Sequence, residues 1–136
     1  MRIIYIAMFM GMLPAARACH PELEGPKGAN PKSIESKNYA IRYRTQPEKI
    51  MIGQHFAVEL ALCAKEGAAV PESVRVDAHM PEHRHGMNYK TTVSSSGTAR
   101  YRAEGLMFHM PGRWEYIFEV RAGGATERLT SSVVLP

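Results

Sequence analysis

Residues 54–63, QHFAVELALC, are the clearest indication of the fold class, because their apolar side chains recur at every second position. One row consists of Phe56, Val58, Leu60 and Leu62, and the other of His55, Ala57, Glu59 and Ala61. Successive side chains of a β-strand point to opposite faces of its sheet, so this alternation predicts a half-buried strand.

The same alternation recurs along the chain, and no long segment keeps the 3.6-residue period of a helix. Further strands are predicted over residues 38–44, 74–79, 91–93, 98–104, 112–121 and 126–135, with a turn or short edge over 50–53 and a turn over 94–97. Six or seven strands separated by turn residues predict an all-β fold, an antiparallel β-sandwich. The core is predicted to contain Phe56, Val58, Leu60, Val76, Trp114, Tyr116 and Phe118. With 136 residues, 45% of them hydrophobic, the chain is sufficient for one domain.

The first 18 residues have the three parts of a secretory signal: a charged start, an apolar run over residues 3–13 and small residues ending at Ala18. We therefore predict removal of residues 1–18 and a periplasmic or secreted protein. A retained membrane anchor is the weaker alternative, because the apolar run is short for a bilayer. Loss of Arg2 and Arg17 leaves 15 of the 17 basic residues against 13 acidic ones, a net charge of +2. The remaining basic residues form no cluster of the kind that binds nucleic acid.

Two cysteines, Cys19 and Cys63, remain after cleavage, and an even count in an exported protein predicts a disulfide. The alternative is a lipid anchor on Cys19, which the neighbouring Ala16 and Arg17 disfavour. Residues 19–37 are rich in proline and glycine, so we predict an extended N-terminal arm without regular structure.

Histidine and methionine are concentrated in two short segments. Residues 77–89, DAHMPEHRHGMNY, hold three histidines and two methionines within nine positions, and residues 107–112, MFHMPG, repeat these residue types. Imidazole and thioether together suit copper, and Cu(I) in particular, whereas calcium and magnesium prefer oxygen ligands. We expect the two segments to form loops at strand ends that converge on one ion.

The spacing of the first segment indicates which side chains bind the metal. His83 and His85 are two residues apart, so their rings would project to the same side of an extended chain, and Met87 continues this register. The predicted ligands are therefore His83, His85 and Met87, with His109, Met80 or Met110 completing the shell. His79 is left undecided, Met107 is assigned to the core, and His55 to the surface. Zinc is the rival metal, with Glu82 as an oxygen ligand, but the methionines argue against it.

Catalytic motifs are absent from the sequence. It has no glycine-rich phosphate loop, no nucleophile elbow and no HExxH, so we do not expect an enzyme. The expected function is periplasmic copper handling, as a chaperone or a buffer, with another envelope protein as the partner that gives or receives copper. The alternative is a protein-protein interaction module of the envelope that binds no metal.

Two motifs carry a resemblance to a known family. The patterns MP.H.HGM at residues 80–87 and F.MPG.W at residues 108–114 resemble those of the YtkA-like domain family, which is related to FixH-like proteins. The resemblance covers roughly residues 38–135 and implies a domain over 38–136. It implies a small, immunoglobulin-like sandwich of about seven strands, exported from bacteria and associated with copper handling. It also implies that His83, His85 and Met87 are the recognisable site and that Trp114 is a core position.

Overall fold

The computed structural model describes residues 19–25 and 30–136, which form two antiparallel sheets. The strands are β1 (Lys32–Glu35), β2 (Tyr39–Gln46), β3 (His55–Ala64), β4 (Ser73–Met80), β5 (His85–Gly86), β6 (Thr92–Gly97), β7 (Arg100–Met107), β8 (Gly112–Ala122) and β9 (Ala125–Leu135). A five-stranded sheet has the order β1-β2-β3-β7-β6, and a four-stranded sheet has the order β5-β4-β8-β9. The predicted all-β sandwich is confirmed.

The connectivity is that of an immunoglobulin-like sandwich. The orders β2-β3-β7-β6 and β4-β8-β9 correspond to the two sheets of a seven-stranded immunoglobulin domain. The two remaining strands, β1 and β5, are short additions at the sheet edges. They explain why the structure has nine strands where about seven were predicted.

The predicted core is confirmed at every position. All seven residues named from the alternation are at most 5% exposed. Trp114 is completely buried, and its ring stacks on that of Phe108 with 4.5 Å between ring centroids. Because these side chains come from both sheets, their burial is what holds the sheets face to face.

The strand registers bring several chain segments to one end of the sandwich. His55, which begins β3, pairs with Met107, which ends β7. The chain then crosses between the sheets over residues 108–111 and enters β8 at Gly112. Strand β4 ends beside the start of β8, because His79 pairs with Glu115. We call this the His/Met end of the sandwich.

The N-terminal arm departs from its prediction. Residues 32–35 form β1 and pair with β2, although the surrounding prolines and glycines predicted no regular structure. Ile34 pairs with Ile41 and packs against the core, so burial of this side chain and the free edge of β2 explain the strand.

Two predicted boundaries around β6 and β7 were also wrong. Residues 94–97 continue β6 with a bulge between Ser95 and Gly97, rather than forming the predicted turn. Strand β7 runs through Gly105, which was expected to end it. Gly105 has φ of +88°, and a Cβ there would lie 2.9 Å from the Lys90 carbonyl oxygen. Glycine is therefore needed for this close approach, not for a turn.

The predicted disulfide between Cys19 and Cys63 is confirmed. It joins the arm to the outer face of β3, with 5.9 Å between the two Cα atoms. The sulfur atom of Cys19 cannot carry a thioether-linked lipid while it forms this bond. The predicted signal peptide, residues 1–18, lies outside the described residues. Within residues 19–25 and 30–136, no helix has the length and hydropathy needed to cross a membrane.

Two tyrosines whose rings meet edge to face in the core, Tyr43 and Tyr116, give a stability prediction. The Tyr43 hydroxyl donates to Ser131 Oγ at 2.6 Å, whereas the buried Tyr116 hydroxyl has no hydrogen-bond partner in the described part of the chain. Tyr116→Phe is therefore expected to be neutral or stabilising by up to about 1 kcal/mol, and Tyr43→Phe to cost about 1 kcal/mol. Urea unfolding followed by far-UV circular dichroism measures both, and a clear loss of stability in Tyr116→Phe would contradict the assignment.

The same pair has a pH signature. Burial raises the pKa of Tyr116 well above its usual value, and burial is also the main cause of the raised pKa of Tyr43. Both phenols stay neutral in the folded protein when unfolded tyrosines ionise, so stability is expected to fall above about pH 10. Tyr116→Phe should reduce this alkaline loss.

Candidate metal centre

The first His/Met segment forms a tight hairpin between β4 and β5. Met80 ends β4 and pairs with His85, and the intervening turn is closed by the His83 amide, which donates to the Met80 carbonyl at 3.2 Å. Arg84 has φ of +55°, so the chain between the two histidines is not extended as predicted. The turn still brings the rings of His83 and His85 to 5.7 Å between centroids.

The second segment is held from both sheets. The Gly53 amide donates to the Phe108 carbonyl at 2.8 Å, and the Trp114 indole N–H donates to the Met110 carbonyl at 3.0 Å. These two bonds fix the backbone on either side of His109. The position of the histidine therefore depends on the core as much as on its own loop.

The two segments meet over Trp114. The His85 and His109 rings lie 5.2 Å apart between centroids, and both contact the indole edge to face, at 6.1 and 5.3 Å. A metal about 2.1 Å from an imidazole nitrogen lies about 3.2 Å from the ring centre, so two such ligands have ring centres about 5.2 Å apart at a tetrahedral angle and about 5.5 Å at a trigonal one. The observed 5.2 Å between His85 and His109 equals the tetrahedral value, whereas the 5.7 Å between His83 and His85 is slightly wider than either value.

The hydrogen bonding of the two half-buried histidines leaves nitrogen lone pairs for a metal. His85 Nδ1 lies 3.1 Å from the Gly86 carbonyl oxygen, which only accepts, so this hydrogen bond assigns the proton of the neutral ring to Nδ1 and leaves the Nε2 lone pair free. His109 Nδ1 is buried and has no hydrogen-bond partner in the described residues. A buried polar atom without a partner is costly, and coordination would satisfy it.

Three of the methionines in the two segments that carry these rings are predicted ligands. Met80 lies on the same face as His85, directly across the hairpin, and is 1% exposed. A Cβ at Gly112 would lie 2.9 Å from the Met80 methyl carbon, so the missing side chain makes room for this methionine. Met87 and Met110 are half-buried and pack against the core. Met80 is thus a core residue beside the rings, whereas the sequence placed it in a loop.

Several other residues that were considered from the sequence have different partners or environments. His79 Nε2 lies 3.0 Å from Glu115 Oε1, and the alternation of β4 directs this histidine away from the core face. Glu82, the oxygen ligand considered for zinc, is exposed and pairs with Arg113 at 3.0 Å. Met107 is half-buried but does not pack in the core to which it was assigned. His55 is exposed, as predicted.

The cluster is not a preformed site of imidazole and carboxylate ligands alone. Within residues 19–25 and 30–136, no three His, Cys, Asp or Glu side chains stand in a metal-binding arrangement. Only the His85 and His109 ring centres have the expected spacing, so His83 would have to move, or thioethers would have to contribute, to complete a donor set. Such a mixed set fits Cu(I) better than zinc, because soft sulfur ligands favour Cu(I).

Trp114 has a second role that was not predicted from the sequence, which is contact with the histidine rings. Trp114 was predicted as a core position. It also contacts the His85 and His109 rings and donates a hydrogen bond to the Met110 carbonyl, so it supports both segments from the core side. The short separation of His109 and Trp114 in the sequence is the feature from which this contact could have been predicted.

Comparisons with known proteins bear on the fold and the family. No curated protein matches the chain. Its fold is similar to the crystal structure of a DUF4426 family protein from Pseudomonas aeruginosa PAO1, at 10% sequence identity and a TM-score of 0.48, covering 78% of this chain and 96% of that chain. That likeness is too distant to carry an argument about function. The family model described as YtkA-like matches residues 34–119, which include both His/Met segments. The chain therefore belongs to the YtkA-like family.

Proposed function

We propose that this protein is an exported copper-binding protein that handles copper in the periplasm, as a chaperone or a buffer. Its site would consist of His83, His85, Met87 and His109, with Met80 or Met110 completing the shell. The observation that carries the proposal is the 5.2 Å separation of the His85 and His109 rings, which come from two separate loops. The unpartnered, buried His109 Nδ1 supports it independently.

Cu(I) is the metal that this donor set favours. Imidazole binds either oxidation state of copper, whereas thioether sulfur selects the softer Cu(I). The thioether also carries no proton at any ordinary pH, so methionine remains a ligand where histidine becomes protonated. Met87 and Met110 are half-buried, pack against the core and belong to the same two segments as the histidines, so they are the proposed source of such sulfur ligands.

The arrangement favours binding and transfer over catalysis. His83 lies exposed at the tip of the hairpin, while His85 and His109 are half-buried below it. An ion could therefore pass from a docked envelope protein to His83 and then to the deeper ligands. The leader predicted for residues 1–18 would place the protein where such an exchange partner is found.

Titration against a competing Cu(I) chelator tests the proposed site. His83→Ala combined with His85→Ala is expected to lower the affinity for Cu(I), Cu(II) and zinc at least tenfold, because each change removes a ligand. Met87→Leu keeps a similar volume and should weaken Cu(I) more than Cu(II) or zinc. The single tryptophan touches both deeper rings, so its fluorescence reports occupancy directly.

His20→Ala is the matched control, since His20 is exposed and lies next to the disulfide, away from the cluster. It should bind Cu(I) like the wild type. Equal and weak Cu(I) binding by the wild type and the double-histidine variant would reject the metal proposal. The interaction module that binds no metal would then replace it. Tighter binding of zinc than of Cu(I), unaffected by Met87→Leu, would make zinc the metal.

A further inference from the structure

The outer face of the five-stranded sheet carries another imidazole and thioether pair at the His/Met end. His55 and Met107 are direct partners across β3 and β7. Side chains opposed in this way lie on the same face of the sheet, with Cβ atoms about 4.5–5.5 Å apart. Their chain neighbours Phe56 and Leu106 are buried in the core. Both members of the pair therefore point outward, away from the sandwich interior.

Neither side chain is committed to the core. His55 is exposed, and Met107 is half-buried without packing in the hydrophobic cluster that includes Leu106 and Phe108. The exposed Tyr89 ring contacts the imidazole of His55 edge to face, with 4.9 Å between centroids. This contact holds the histidine ring at the surface, on the sheet face that also carries Met107.

The pair is connected to the proposed copper site through both loops. Met107 lies two residues before His109, and Tyr89 lies two residues after Met87. The segment that carries Tyr89 passes close to β7, where the Lys90 carbonyl oxygen would lie 2.9 Å from a Cβ at Gly105. Met107, and the Tyr89 ring that contacts His55, thus lie on the same two chain segments as the deeper histidines.

We propose that His55 and Met107 form a second, weaker Cu(I) site on the protein surface. One imidazole and one thioether are soft donors of the same types as those in the main cluster. Two donors leave coordination positions open, so a ligand from a docked protein could complete the shell while the ion is exchanged. The proposal rests on the Cu(I) chemistry of the proposed function but uses none of the ligands of the first site.

Chelator titration with stoichiometry is the test, combined with tryptophan fluorescence and NMR. The wild type is expected to bind two equivalents of Cu(I). The first should change Trp114 fluorescence, and the second should shift the His55 ring protons and the Met107 methyl group without further change at the tryptophan. His55→Ala and Met107→Leu should each lower the affinity for the second equivalent roughly 10- to 100-fold and leave the first unchanged. His20→Ala should alter neither.

The outcomes separate the two sites. A wild type that binds one equivalent, with the full fluorescence change, overturns the second site and leaves the proposed function intact. A second equivalent that His55→Ala and Met107→Leu do not weaken also overturns it. If the variant lacking both His83 and His85 binds one equivalent that shifts His55 and Met107 without affecting Trp114, the surface site stands alone. Absence of Cu(I) binding by the wild type would reject both proposals.

Discussion

Replacing Trp114 by alanine is expected to lower the free energy of unfolding by about 3–5 kcal/mol, because the side chain is completely buried and its removal leaves a large cavity. The change also removes the stacking on Phe108 and the hydrogen bond to the Met110 carbonyl. Urea unfolding must be followed by far-UV circular dichroism, because Trp114 is the only tryptophan.

Trp114→Phe is the matched control, because it keeps an aromatic ring but lacks the indole N–H donor. Trp114→Phe should lower the free energy of unfolding less than Trp114→Ala does. The loss that remains reflects the smaller ring and the missing hydrogen bond to the Met110 carbonyl. Both variants should weaken Cu(I) binding if the indole positions His85 and His109. A cost below about 1 kcal/mol for Trp114→Ala would show that this end of the sandwich is not packed as described.

Loss of the disulfide is expected to destabilise the protein by about 4 kcal/mol. The bond joins Cys19 and Cys63 across 44 residues, and a closed loop of this length restricts the unfolded chain by about that amount on the chain-entropy model. Comparison of oxidised wild type with the variant carrying Cys19→Ser and Cys63→Ser measures the effect by denaturant unfolding.

Reduced wild type is the control that distinguishes loss of the disulfide from the effect of replacing cysteine by serine. Its stability should match that of the double-serine variant. The serine variant should bind Cu(I) like the wild type, since the disulfide lies towards the end of β3 opposite His55. Equal denaturation midpoints for oxidised and reduced protein would show that the arm contributes nothing to stability. Two free thiols in the unreduced protein would contradict the disulfide itself.

The strands were largely predictable because period-two burial is a local signal. Phe56, Val58 and Leu60 occupy every second position of β3, and each is 5% exposed or less. The spacing of these residues in the sequence therefore already indicates which face of the strand is buried. The misplaced boundaries share one cause: glycine and serine are typical of turns but are also tolerated in bulges. Gly105 lies within β7, where the Lys90 backbone approaches it too closely for a side chain. This contact joins two separate segments, so it could not be predicted from the residues around Gly105.

The candidate site was predictable in its residue types but not in its geometry. Concentration of histidine and methionine identified both segments, and the structure places His85 beside His109. The extended register assumed for His83 and His85 was wrong, because Arg84 adopts a left-handed conformation in a turn. Backbone conformation at a single arginine in a loop has no dependable sequence signature.

The all-β class, the core-facing rows and the two segments rich in histidine and methionine could be recognised in the sequence, since each follows from local spacing and residue type. Three relations became visible in the folded protein alone: Met80 packs inward opposite His85, His79 pairs with Glu115, and Met107 is the cross-strand partner of His55. These relations depend on strand register and on which sheet face a residue occupies. Register is set by pairing between segments far apart in the chain, so it emerges only when the sandwich closes.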